Sequence, residues 1–111
     1  MDTLNTEIDV STILKIAKEI AGHVVRPLRK SLPGITATPS FSRPGFIDIK
    51  FCLEEPRSFT DADRTVVRDF VTNRKFLKYA RKKLGWKSVR VTTCSRNRDK
   101  HRYTWTIEKR S

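Results

Sequence analysis

Only two cysteines occur in the chain, Cys52 and Cys94, with no CxxC pair and no dense framework. Such usage fits a reducing compartment with buried thiols, not a disulfide scaffold, although spacing alone leaves a Cys52–Cys94 pair open. Glycine is scarce too, at four residues, and no Gly-rich phosphate loop, dinucleotide fingerprint or nucleophile elbow is present. Enzymes of those types are unsupported. Long apolar runs are missing, because Lys15, Lys18 and Glu19 interrupt the first apolar segment. Neither a secretory signal nor a membrane-crossing helix is expected, so the setting reads as intracellular, cytoplasmic or nuclear, with no membrane partner. The Arg81-Lys82-Lys83 cluster is weak support for a nuclear address.

Acidic residues are also few: 12 Asp and Glu face 24 Lys and Arg, for a net charge of +12 and a pI near 10.3. That excess predicts attraction to polyanions and says nothing of fold. It is unevenly placed. Residues 61–111 hold sixteen basic against five acidic residues, whereas the first sixty are nearly balanced. A polyanionic partner therefore meets the C-terminal half. The other reading of this charge is a merely soluble surface.

What is present suffices for one core. With 111 residues, 37% hydrophobic content, two Trp, two Tyr and six Phe, the chain predicts a single basic α+β domain over residues 9–111 behind a flexible arm over 1–8. Ile13, Ala17, Ile20, Val24 and Leu28 recur at helical spacing behind Asp9, a fair cap. Pro27 predicts a kink or an end near Arg26, with a further turn through Leu32 before Pro33-Gly34. Residues 35–41 read as an edge strand, because Pro39 lacks a ladder donor. In residues 46–53, Ile47, Ile49, Phe51 and Leu53 alternate with polar neighbours and predict a half-buried strand.

Residues 58–85 predict one long amphipathic helix. Thr60 and Asp63 form a capping-box pair at its start, and Gly85 is a left-handed cap at its end. Its core stripe is Ala62, Val66, Phe70, Leu77, Ala80 and Leu84, leaving a basic stripe of Arg64, Arg68, Lys75, Lys78 and Lys82 opposite. Val67 and Val71 fall on the outward half, an exposed apolar pair suited to a homodimer seam or a protein partner. A second hairpin follows. Residues 86–94 and 102–110 turn Val89, Val91, Tyr103, Trp105 and Ile107 inward and leave Arg90, Thr92, Arg102, Thr104 and Thr106 outward.

The resulting order is helix, strand, strand, helix, strand, strand. It favours a two-layer α+β sandwich, a mainly antiparallel four-stranded sheet with two helices on one face. A crossover after Leu53 leaves some parallel pairing open.

The candidate interface is nucleic-acid-binding, for DNA or RNA, single or double stranded. Arg90, Arg96, Arg98, Lys100 and Arg102 on the final hairpin position a phosphate backbone, because arginine offers a two-pronged fork to phosphate oxygens. Arg64, Arg68, Lys75, Lys78 and Lys82 add a second line of charge. Trp86 and Tyr79 are the candidate base-stacking aromatics. The alternative is a protein-interaction module, an adaptor, inhibitor or ribonucleoprotein subunit, docking on an acidic surface.

Other chemistry has thinner support. Asp48-Ile49-Lys50 on a strand is similar to the D-x-K pattern of metal-dependent nucleases, in which a carboxylate holds Mg²⁺ and a lysine positions water. The second carboxylate such a site needs is missing from residues 35–45, leaving Glu19, Glu54 and Glu55 as substitutes. Gly45 to Phe51 partly resembles the RNA-recognition-motif signature in its glycine and its first and last aromatics. Asp48 stands where that signature has a stacking aromatic, so the family is not carried over. Cys52, Cys94, His23 and His101 have metal-ligand atoms but no spacing that gathers them. The expectation is a non-enzymatic protein without a cofactor or metal.

Overall fold

The computed structural model describes residues 10–54, 57–93 and 101–110. The chain runs α1 (Val10–Ser31), β1 (Thr36–Arg43), β2 (Phe46–Cys52), α2 (Asp61–Val71), α3 (Arg74–Leu84), β3 (Ser88–Thr93) and β4 (Arg102–Arg110). The strands form one sheet in the order β1-β2-β4-β3, and every neighbouring pair is antiparallel. The α+β class and the antiparallel sheet agree with the sequence; the element order differs by one extra helix.

α1 carries Ile13, Ala17, Ile20, Val24 and Leu28 on one buried stripe, continued by Leu32 just past its end. The helix does not end near Arg26. It passes through Pro27, whose ring removes one ladder donor but lies exposed, while burial of Val24 and Leu28 on either side holds the last turns against the core. The expected arm over 1–8 and the Asp9 cap lie outside the described residues.

After α1 the chain reverses through Gly34, at φ +83°, and a Cβ there would sit 2.7 Å from Glu54 Oε2 and 3.0 Å from Glu54 Cβ. Glycine answers both constraints. β1 is an edge strand, as Pro39 requires. Ile47, Ile49 and Phe51 of β2 lie directly opposite Ile107, Trp105 and Tyr103 of β4, and all six are buried beneath the helices. Alternate residues point to the other side of the sheet, where Thr38, Lys50 and Thr104 share one row and Ser40, Asp48, Thr106 and Thr92 another.

The long helix expected over 58–85 is two helices. Asn73 breaks it by capping α3, its side chain accepting from the Lys75 amide at 2.8 Å, while the Thr72 hydroxyl donates to the Arg68 carbonyl at 2.7 Å. The break resets the helical phase. Asp63, Val67 and Val71 are the buried positions of α2, and Phe76, Ala80 and Leu84 those of α3. Ala62 is exposed, and Val66, Phe70 and Leu77 are half-buried at the margins.

Val67 and Val71 are therefore core residues, at 0% and 1% exposure, and cannot form a homodimer seam or a partner contact. The terminal caps follow the sequence: Thr60 and Asp63 exchange hydrogen bonds at 3.1 and 3.0 Å, and Gly85 closes α3 at φ +71°.

Candidate nucleic-acid interface

The basic stripe expected along one helix divides where the helix divides. On α2, Arg64 is half-buried, with its guanidinium carbon 5.6 Å from the centre of the Tyr103 ring and its Nε buried without a hydrogen-bond partner among the described residues. Arg68 is exposed and sits 3.6 Å from Asp69. Asp61 and Asp69 share the outward side of α2, so that helix offers no uniform positive face.

α3 is different. Its buried residues Phe76, Ala80 and Leu84 define one side; Arg74, Lys75, Lys78, Arg81 and Lys82 are all exposed. At 3.6 residues per turn these five occupy one continuous sector of roughly 120° centred opposite the core. None has a carboxylate within ion-pairing distance among the described residues. Lys83 belongs to another flank, where it reaches Glu19 of α1 at 3.3 Å. Burial of one side of α3, with lysine and arginine at nearly every other position, produces this face.

The five cations are not symmetric about the crest of the helix. Lys75 and Lys82 stand on the side toward α1; Arg74, Lys78 and Arg81 lean toward β3. There they line an open groove of about 310 Å³, together with Leu77, Ser88 and Val89. The tight Gly85-Trp86-Lys87 connection lays β3 back along α3, and Arg81 fixes it by donating from an Nη to the Lys87 carbonyl at 3.3 Å. Leu77 and Val89 give the groove an apolar floor. Sequence reasoning missed Arg74 and Arg81, because a continuous helix through Thr72 puts them off the stripe. Asn73 as a cap was the available signal.

The hairpin cations fall elsewhere. Arg90 and Arg102 are exposed on the side of the sheet away from the helices, opposite Glu108 and Cys52 in register. They do not join the α3 cations on one surface. Arg96, Arg98 and Lys100 lie outside the described residues, as does Cys94. Trp86 is buried, at 8% exposure, and cannot stack on a ligand. Tyr79 is half-buried and already stacked on His23.

Asp48 and Lys50 alternate on the helix-free side of β2, where the Asp48 carboxylate accepts from the Thr106 hydroxyl at 2.6 Å. Among the described residues no three His, Cys, Asp or Glu side chains gather as a metal site. Cys52 is a free, half-buried thiol. Among the same residues no helix is long and apolar enough to cross a membrane. Compared with family models, curated proteins and solved structures, the chain has no match.

Proposed function

We propose that the chain binds DNA or RNA through its phosphate backbone, with α3 as the main contact. The observation that carries this reading is the unbroken sector of Arg74, Lys75, Lys78, Arg81 and Lys82, five exposed cations with no carboxylate partner among the described residues. An ordinary solvated helix face mixes signs, as the outward side of α2 does with Asp61, Arg68 and Asp69. Five cations on one side of an eleven-residue helix repel one another, and a polyanion relieves that repulsion while releasing its own counterions. Arginine supplies two-pronged phosphate contacts and lysine supplies point charges. No chemical step is part of this function.

Arg90 and Arg102 on the helix-free side of the sheet are secondary in this reading. They add long-range attraction and not contact with the same backbone segment.

The test is equilibrium binding of the purified chain to labelled duplex DNA, duplex RNA and single strands, each over a salt series. Affinity should fall steeply as salt rises, with a log–log slope of about −0.7 per phosphate contact on a single strand and about −0.9 on a B-form duplex. Weak binding to all three even at low salt refutes the reading. An acidic protein partner, retained in a pull-down after nuclease treatment, then becomes the better one.

A further inference from the structure

We infer that the groove between α3 and β3 receives a single strand, with an unstacked base against Leu77 and Val89 and the adjoining phosphates on Arg74, Lys78 and Arg81. This rests on the nucleic-acid reading above and narrows its ligand.

The α3 face is asymmetric. A duplex presents two rails of phosphate on its outside, with its bases stacked within, and would best be met by the convex part of the face outside the groove, where Lys75 and Lys82 stand. Three of the five cations instead line a concavity, and both arginines of the sector are among them.

Size and lining point the same way. About 310 Å³ is at the low end of small-ligand pockets, which run from roughly 300 to 1,000 Å³. That volume accommodates one base. Leu77 and Val89 have no use for phosphate, but an apolar floor between cations suits a flat base flanked by anionic oxygens. Ser88 adds one hydroxyl at the rim for a sugar or base edge.

Two features prepare the groove for that ligand. The bond from Arg81 to the Lys87 carbonyl uses one of the five guanidinium N–H donors and holds the head at the mouth, leaving the others for phosphate. From Arg74 to Arg81 the helix advances about 10 Å at 1.5 Å per residue, enough for a short run of successive phosphates. An aliphatic floor makes no base-specific hydrogen bond, so little sequence preference is expected.

Two isocharged variants test the inference. Arg74→Gln with Lys78→Gln removes two groove cations, and Lys75→Gln with Lys82→Gln removes the two cations of the sector outside the groove. All four side chains are exposed and make no intramolecular ion pair among the described residues, so both variants should fold as the parent does by circular dichroism. Binding of a short labelled oligothymidylate and of a duplex of the same length is measured for each. The groove pair should weaken strand binding by about tenfold or more and the pair outside the groove by about threefold or less, whereas duplex binding should fall at least as much in the pair outside the groove as in the groove pair.

Val89→Thr should weaken the strand severalfold without changing the salt slope. Equal losses of strand binding in the two variants, or a duplex bound as tightly as the strand by the parent, would overturn the groove and leave the backbone reading standing. Failure of the parent chain to show salt-dependent binding of either probe would overturn both.

Discussion

The rings of His23 and Tyr79 stack with centroids 3.9 Å apart and planes 15° from parallel, joining α1 to α3 on the helix flank away from β3. Lys83 lies over the same Tyr79 ring, 5.9 Å from its centre, and pairs with Glu19. This small seam locks α3 against α1 and so sets which way its cations face. Replacing His23 or Tyr79 by Ala should destabilise the protein, and a double-mutant cycle should give a coupling of about 1 kcal/mol beyond area burial. Urea unfolding measures it; a coupling near zero would mean the stack only fills space.

Asn73 sets the phase of α3. Its side chain satisfies the Lys75 amide, an otherwise orphaned donor of the first turn. Asn73→Ala should cost about 1 kcal/mol in denaturant unfolding, whereas Asn73→Asp or Asn73→Ser should nearly preserve stability. A loss as large in the Ser variant as in the Ala variant would show that the side chain acts through packing and not through the cap.

That same residue marks where the sequence stops being legible. Residues 61–71 hold two competing stripes, Ala62-Val66-Phe70 and Asp63-Val67-Val71, and periodicity alone favours the first because Asp63 looks like a surface residue. Asp63 is buried because it closes the Thr60 cap and sits 3.5 Å from Arg57, which a count of apolar positions does not register. Once the helix is taken as continuous through Thr72, Val67 and Val71 turn outward and Arg74 and Arg81 leave the basic stripe.

The strands are legible in the sequence. Period-two alternation in Ile47-Ile49-Phe51 and Tyr103-Trp105-Ile107 identifies the buried side without any knowledge of partners. Their direct pairing, and with it the order β1-β2-β4-β3, depend on contacts roughly fifty to sixty residues apart that no local pattern encodes.

Val67 offers a direct check on the corrected phase. Its side chain is fully buried in the core, so Val67→Ala should cost about 2 kcal/mol from two lost methyl groups and a residual cavity. Ala62→Gly, one position along the mistaken stripe and exposed, should cost only about 1 kcal/mol, the backbone penalty of glycine in a helix. A Val67 variant as stable as its parent would restore the outward placement of that residue.

The Asp48–Thr106 hydrogen bond ties β2 to β4 on the helix-free side of the sheet at 2.6 Å. Thr106→Val keeps the shape and β-propensity and removes only the donor, so it should cost about 1 kcal/mol in thermal or urea unfolding. The parent and the variant should bind oligonucleotides alike, because this side of the sheet lies away from α3. Loss of binding with unchanged stability would relocate the interface to the sheet.

Lys83 supplies the sharpest control on the interface, because it has the same charge as Lys82 and is its neighbour in sequence. Counterion release counts only the cations that meet phosphates, so position on the helix matters and formal charge does not. Lys82 stands in the exposed sector, whereas Lys83 is turned to α1 and held 3.3 Å from Glu19. Lys82→Gln should therefore reduce the log–log salt slope by about 0.9 on a B-form duplex, and Lys83→Gln should leave it nearly unchanged. Stability should respond the other way: Lys83→Gln loses a partly exposed ion pair worth at most about 1 kcal/mol, and Lys82→Gln loses none. If both variants flatten the slope equally, binding senses net charge alone, and α3 has no privileged part in it.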